Sequence, residues 1–151
     1  MGFLFVISAE LVGIVSSLSM GDSLSTWYAF LEKPVFSPPS WVFGPVWTIL
    51  YALMGIAAYM VWRKRHGHNR SHLALRLYWA QLMFNFLWSI AFFGMRNPAL
   101  ALADIVLLLG ALVVATVYFF KVRRAAGWLM VPYIAWVMFA TALNAAIVVL
   151  N

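Results

Sequence analysis

The sequence predicts an all-α integral membrane protein, a bundle of five transmembrane helices with a structured loop between the first helix and the second. Three observations predict this fold. Hydrophobic residues make up 66% of the 151 residues and charged residues only 9%, whereas a soluble domain carries about 25% charged residues. The apolar residues form five runs, each long enough to cross a bilayer. Eight of the ten lysines and arginines lie in two of the connections between these runs or, in the case of Arg76, at the edge of one of them.

The five runs cover residues 3–20, 40–62, 73–95, 98–120 and 125–150, and they belong to one predicted domain, residues 1–151. Helices are the structure that fits them, because open sheet edges cannot face lipid and the alternation of barrel strands is missing. The second helix is expected to begin at Ser40, with Ser40 as its N-cap. Short connections make neighbouring helices antiparallel.

Basic residues predict how the bundle is oriented. Because Lys and Arg favour the cytoplasmic side, the 2–3 and 4–5 connections are expected there. The N-terminus is then cytoplasmic and the C-terminus outside, in a bacterial plasma membrane. The net charge of +6 therefore reports topology, and no nucleic-acid partner is expected. The eight residues are Arg63, Lys64, Arg65, Arg70, Arg76, Lys121, Arg123 and Arg124.

The connection at residues 21–39 is long and stiff. Pro34, Pro38 and Pro39 fix the backbone and prevent a continuous helix across them. Its aromatic residues favour the headgroup level, so one interpretation is a simple interfacial anchor. The other is a lid over a binding site, because long ordered loops are usually functional.

Polar and aromatic side chains recur on one face of three predicted helices. These stripes are Gly44, Trp47, Tyr51 and Met54 in the second helix, Gln81, Asn85 and Trp88 in the third, and Trp136, Ala140, Leu143 and Asn144 in the fifth. Amides that bond between helices are one explanation. A small-molecule cavity with apolar and aromatic walls is the other, and a planar ligand would stack on Trp47 and Trp136.

Other polar groups point to no catalytic chemistry. Glu10 and Asp104 lie at membrane depth, where acids are functional candidates; a proton relay at Glu10 lacks partners, and a structural pairing, such as with Arg96, is expected for Asp104. The loop HGHNRSH matches no metal motif, so it is interpreted as a solvated basic loop at anionic lipid. No metal site and no cofactor are expected. Cysteine is absent.

Three stretches, in order, resemble the signatures of a known family. They are WYAFLEKPVFSPPSWVFGPVWTILYALMG, AQLMFNFLWSIAFFG and PYIAWVMFATALN. The chain is similar to the translocator protein family (TspO/MBR), also called tryptophan-rich sensory protein or peripheral benzodiazepine receptor. The resemblance implies a five-helix bundle, usually a homodimer, with a pocket closed by the 1–2 loop. It also implies a receptor or transporter-like protein that binds protoporphyrin IX, haem and synthetic benzodiazepine-site ligands.

The resemblance carries specific residues over to this chain. The pocket is implied to include Phe43, Val46, Trp47, Gln81, Asn85, Ala103, Leu107, Trp136, Ala140 and Leu143, and the stripes add Tyr51, Trp88 and Asn144. The lid motif carries over to Trp27, Lys33, Pro34, Pro38 and Pro39. Phe36 replaces the family's tryptophan in that loop, and Leu100 replaces a tryptophan of animal members. The end of the chain, LNAAIVVLN, lacks the Tyr and basic residue of the animal cholesterol motif, which argues against specific sterol binding.

Two functions follow from the resemblance. The first is a membrane receptor with a sensory or regulatory role. The alternative is an enzyme that degrades bound porphyrin oxidatively with the help of light, with Trp47 and Trp136 as the reactive indoles. A third interpretation is a structural or regulatory membrane subunit, because the small residues Ala99, Ala103 and Gly110 of the fourth helix allow close packing with another protomer. The sequence offers no Ser–His–Asp set for hydrolysis, and binding is the function it favours.

Overall fold

The computed structural model describes residues 2–151 of the chain. Six α-helices follow one another: α1 (Gly2–Met20), α2 (Ser23–Thr26), α3 (Phe43–Arg63), α4 (Arg70–Ser89), α5 (Pro98–Val122) and α6 (Arg124–Leu150). Short 3₁₀ turns cover Tyr28–Phe30 and Ser40–Val42, and a π-helical turn at Ile90–Gly94 continues α4. Over this range there is no β-strand. The predicted all-helical class is confirmed.

Four helical segments are long and apolar enough to cross a bilayer: Gly2–Met20, Ser40–Arg63, Pro98–Val122 and Arg124–Leu150. The remaining long helix, α4, has 20 residues but a more mixed composition. Its first two turns contain Arg70, His72 and Arg76, and two amides follow further along. Five long helices are therefore present, of which four are apolar spans by composition.

Ser40 is not the N-cap of the second long helix, contrary to the sequence-based prediction. α3 begins at Phe43, after the turn Ser40–Val42, and no side chain caps either element. The turn forms because Pro39 is extended and its carbonyl accepts the backbone N–H of Val42 at 3.0 Å. Asn97 does cap α5, since its side chain accepts the backbone N–H of Leu100 at 3.1 Å.

The five long helices form a closed ring in which α1 contacts α3, α3 contacts α6, α6 contacts α5, α5 contacts α4, and α4 returns to α1. The line of contact between α1 and α3, called the seam below, is tight in the half away from the start of α3. There a Cβ at Gly55 would lie 2.6 Å from the Cα of Val6, so only glycine fits. Towards the start of α3 the seam widens, because a Cβ at Gly44 would meet nothing within 4 Å.

The connection between α1 and α3 is packed onto the wide end of the bundle. Tyr28 is buried, and its ring packs against Phe43 at 6.3 Å and Phe93 at 5.9 Å between centroids. The Lys33 ammonium donates to the carbonyl oxygens of Tyr28 at 2.8 Å and Leu31 at 3.1 Å. Ser23 Oγ donates to the carbonyl oxygen of Phe93 at 2.9 Å. These contacts hold the connection as an ordered cover.

Candidate functional site

A cavity of about 480 Å³ lies among α1, α3, α4 and α6, beneath the connection. That size is within the range of small-molecule sites, which bury most of a ligand's surface. Most of the lining is apolar or aromatic. The aromatic residues of the lining are Tyr28, Trp41, Phe43, Trp47, Tyr51, Trp88, Phe92, Phe93 and Trp136.

Three indole rings from three helices meet in the wall. The centroid of the Trp47 ring lies 6.5 Å from that of Trp88 and 6.4 Å from that of Trp136. Trp47 and Trp88 are inclined at 34°, whereas Trp47 and Trp136 are almost perpendicular at 88°. A flat aromatic ligand that stacks on one ring therefore meets the edge of another, which is a favourable arrangement for aromatic contacts.

A chain of hydrogen bonds closes the inner end of the cavity. The Tyr51 hydroxyl donates to Asn85 Oδ1, and Asn85 Nδ2 donates to the Tyr133 hydroxyl at 2.7 Å. The Tyr133 hydroxyl donates to Gln81 Oε1 at 2.9 Å, and Gln81 Nε2 reaches the sulfur of Met54 at 3.7 Å. Because each buried polar group of this chain has a partner, the chain stabilises the bundle. Its amides need no hydrogen bond from a ligand.

A second polar link joins α4, α6 and the start of α5. Trp88 Nε1 donates to Asn144 Oδ1 at 3.0 Å, and Asn144 Nδ2 donates to the carbonyl oxygen of Pro98 at 2.9 Å. By contrast, the buried Nε1 of Trp136 has no partner within residues 2–151. An indole N–H is only a donor, and a buried donor without a partner is unfavourable. Within residues 2–151, Trp88 is thus the wall indole whose N–H has a partner, whereas the N–H groups of Trp47 and Trp136 have none.

The cavity opens sideways. The exposed members of its lining are Ile14 and Ser17 on α1, Ser40 and Trp41 just before α3, and Gly44 and Thr48 near the start of α3. They flank the wide part of the seam between α1 and α3. A molecule dissolved in the surrounding medium thus has a route into the cavity between these two helices.

The family model described as the TspO/MBR family matches residues 5–150. The chain belongs to the TspO/MBR family. Together with the four apolar helices, this makes it an integral membrane protein.

Relatives from three kinds of organism cover most of this TspO/MBR chain. The tryptophan-rich protein TspO of Archaeoglobus fulgidus is 42% identical over 97% of this chain and 94% of its own length. The human translocator protein is 40% identical over 93% of this chain and 83% of its own length. The tryptophan-rich sensory protein of Cereibacter sphaeroides is 46% identical over 78% of this chain and 72% of its own length.

Nine of the thirteen predicted pocket residues, from the family resemblance and the stripes together, line the cavity: Phe43, Trp47, Tyr51, Asn85, Trp88, Trp136, Ala140, Leu143 and Asn144. Four do not. Gln81 lies behind the wall, where Tyr133 and Met54 occupy its amide, and Val46 packs against the core. Ala103 and Leu107 lie on the outward face of α5, with Leu107 59% exposed. α5 borders α4 and α6 but supplies no residue to the cavity lining.

The predicted lid residues of this TspO/MBR chain hold the connection in shape and do not line the cavity. These residues are Trp27, Lys33, Pro34, Phe36, Pro38 and Pro39. Trp27 packs on Phe92 at 5.5 Å and Phe36 on Phe139 at 6.1 Å between ring centroids. The cavity is instead covered by Leu24, Tyr28, Ser40 and Trp41. Burial raises the pKa of the Tyr28 hydroxyl, so this group stays neutral.

Sequence reasoning missed the α1 wall of the site, which includes Glu10, Gly13, Ser16 and Met20. Their spacing of 3 to 4 residues was a detectable signal, since it puts them on one helical stripe. A Cβ at Gly13 would lie 2.7 Å from the Tyr51 ring, so the missing side chain seats that ring against α1. The expected pairing of Asp104 with Arg96 does not form, because Arg96 pairs with Asp22 at 3.6 Å.

Proposed function

We propose that this protein is a membrane receptor that binds tetrapyrroles, such as protoporphyrin IX and haem, and other planar hydrophobic molecules in the cavity. The observation that carries the proposal is the wall of three indoles, in which the Trp136 N–H has no protein partner. A sensory or regulatory role is in keeping with the name of the Cereibacter sphaeroides relative. Synthetic ligands of the benzodiazepine site are proposed to occupy the same cavity.

The proposed binding mode combines stacking with one directed hydrogen bond. The macrocycle lies against Trp47 or Trp88, and the Trp136 side chain reorients so that its buried N–H reaches an acceptor atom of the ligand. The apolar wall supplies most of the affinity, because removing apolar surface from water is the dominant favourable term. The ligand enters from the membrane through the gap between α1 and α3, and the connection over Tyr28 covers it.

We further propose that α4 is the fifth transmembrane span. Its neighbours in the ring, α1 and α5, are both apolar spans, and its amides are occupied by partners within the bundle. With five spans, the two basic connections share the cytoplasmic side. The N-terminus is then cytoplasmic, and the connection over the cavity faces outside.

A homodimer through the outward face of α5 is part of the proposal. Ala99, Ala103 and Gly110 are exposed on this helix, and a Cβ at Gly110 would meet nothing within 4 Å. Small residues at these positions allow a second helix to approach closely. The cavity is formed within one chain, so each protomer carries its own site.

A titration of the purified protein with protoporphyrin IX, followed by tryptophan fluorescence quenching, tests the binding function. Trp136→Phe keeps the ring but removes the N–H donor, and it should weaken binding about 2- to 10-fold, as expected for one neutral hydrogen bond. Trp128→Phe is the matched control, because Trp128 lies on the same helix, 65% exposed and outside the cavity. Absence of saturable binding by the unmodified protein would overturn the proposal.

The porphyrin-degrading alternative is favoured by one observation, the contact of two indoles, Trp47 and Trp136, that both face the cavity. It makes a distinct prediction. Illumination in the presence of dioxygen should then bleach the Soret absorbance of bound porphyrin, and Trp47→Phe should slow the bleaching. A Soret band that is stable over many binding lifetimes would leave binding as the function.

A further inference from the structure

Glu10 places a carboxylate at the inner end of the cavity. It is the first of the α1 residues that line the cavity, and Met20, the last residue of α1, lies beside the cover. Ten residues of helix separate them, which is about 15 Å along the axis. The one acidic side chain that residues 2–151 contribute to the lining therefore lies at the end opposite the connection.

The Glu10 carboxylate has no partner within residues 2–151, where the ion pair formed is that of Arg96 with Asp22. Of the polar residues nearby, Tyr51 and Asn85 bond to each other. The described lining contains no lysine, arginine or histidine. The charged and titratable groups that face the cavity are thus Glu10, Tyr28 at the opposite end, and Tyr51.

An unpaired carboxylate at membrane depth discriminates between ligands by charge. Glu10 is half-buried, and where lipid replaces water beside it, its interactions with ligand charges are stronger than at a protein surface. A ligand cation placed next to it gains a charge-assisted hydrogen bond. A ligand anion placed there is repelled by the unpaired negative charge, which lowers its affinity for the cavity.

We propose that Glu10 makes the inner end of the cavity a subsite for a cationic nitrogen, so that the protein prefers planar aromatic ligands carrying a protonated amine. This inference rests on the proposed binding function of the same cavity. It also fixes the orientation of acidic tetrapyrroles. Their carboxylates lie away from Glu10, towards the gap flanked by Ser17 and Thr48.

Three small probes of one shape test the subsite. In a neutral detergent at mildly alkaline pH, acridine is neutral, 9-aminoacridine is a cation and acridine-9-carboxylic acid is an anion. The full chain should bind 9-aminoacridine at least about tenfold more tightly than acridine, as expected for a hydrogen bond to a charged group. The carboxylic acid should bind most weakly of the three.

Glu10→Gln should remove the preference for the amine and leave acridine binding within about twofold, because shape is conserved and only charge is lost. Glu32→Gln is the matched control, since Glu32 is an exposed acid on the connection, outside the lining. It should keep the full preference.

Each other outcome has a defined meaning. A preference that survives Glu10→Gln overturns the subsite. Equal binding of the three probes by the unmodified protein overturns the subsite but leaves the binding function standing. No binding of any probe or of protoporphyrin IX overturns both. If Glu10→Gln does not fold, the order of the three affinities in the unmodified protein decides the question.

Discussion

At the scale of single residues, the amides of α4 divide into two roles. Asn85 lines the cavity and also bonds to Tyr51 and Tyr133. Gln81, one turn away, is fully buried and touches no part of the cavity. The residue that joins them is Tyr133, whose hydroxyl accepts from one amide and donates to the other. Stability and binding are therefore separable at these two positions.

Replacing Gln81 by Met should lower stability without lowering ligand affinity. The Tyr133 hydroxyl loses its acceptor inside the bundle, at an expected cost of about 1–3 kcal/mol. Thermal unfolding in detergent measures the first effect, and the protoporphyrin IX titration measures the second. Asn69→Ala, in an exposed loop position, is the control and should change neither. A Gln81→Met protein that unfolds normally but fails to bind porphyrin contradicts this division.

Several site residues were predictable from the sequence and others were not. Trp47, Asn85 and Trp136 sit on stripes where polar or aromatic residues repeat with helical spacing, and all three line the cavity. Tyr133 gave no such signal, because its role depends on how α6 is rotated against α4. The outward orientation of Ala103 and Leu107 was not predictable either. α5 is apolar on every side, so its sequence pattern does not reveal which face is inward.

At the scale of elements, the seam between α1 and α3 shapes the site. The two helices touch closely where Gly55 faces Val6, and they separate towards Gly44. The Tyr51 ring, seated against Gly13, marks the point where the separation begins. The cavity and its sideways opening are consequences of this divergence, which depends on glycine at one end and on the packed connection at the other.

Gly55→Ala should destabilise the bundle by about 1–3 kcal/mol, because the new methyl group meets the backbone of α1 and not a movable side chain. Gly44→Ala lies on the same helix and should be neutral or slightly stabilising, since nothing lies within 4 Å and alanine favours helix. Chemical or thermal unfolding of the two variants in one detergent provides the comparison. Equal stabilities would show that α1 and α3 do not approach closely at Gly55.

At the scale of the whole molecule, the number of spans depends on α4. The apolar composition of four helices is clear, and the sequence predicted five from run length. The structure has four apolar spans and not five because two groups of polar side chains lower the hydropathy of α4. Its basic residues lie in the first two turns, where the membrane surface is expected, and its amides are paired inside the ring.

Cysteine labelling tests whether α4 crosses the membrane. The chain has no cysteine, so single substitutions report without background. Gly67→Cys before α4 and Met95→Cys after it are both at exposed positions. In sealed vesicles an impermeant maleimide should label them from opposite sides, with Gly67→Cys reached from the cytoplasmic face. Labelling of both from one face would rule out α4 as a span.

The central claim is that planar ligands bind among the indoles inside the bundle, and fluorine NMR of the protein labelled with 5-fluorotryptophan tests it most directly. Among the eight tryptophans, Trp47, Trp88 and Trp136 line the cavity together with the exposed Trp41, whereas Trp62, Trp79 and Trp128 lie outside it. Saturating protoporphyrin IX should shift the resonances of the first three and leave those of the second three unchanged. Shifts confined to Trp62, Trp79 and Trp128 would place the ligand on the outer surface and contradict the account.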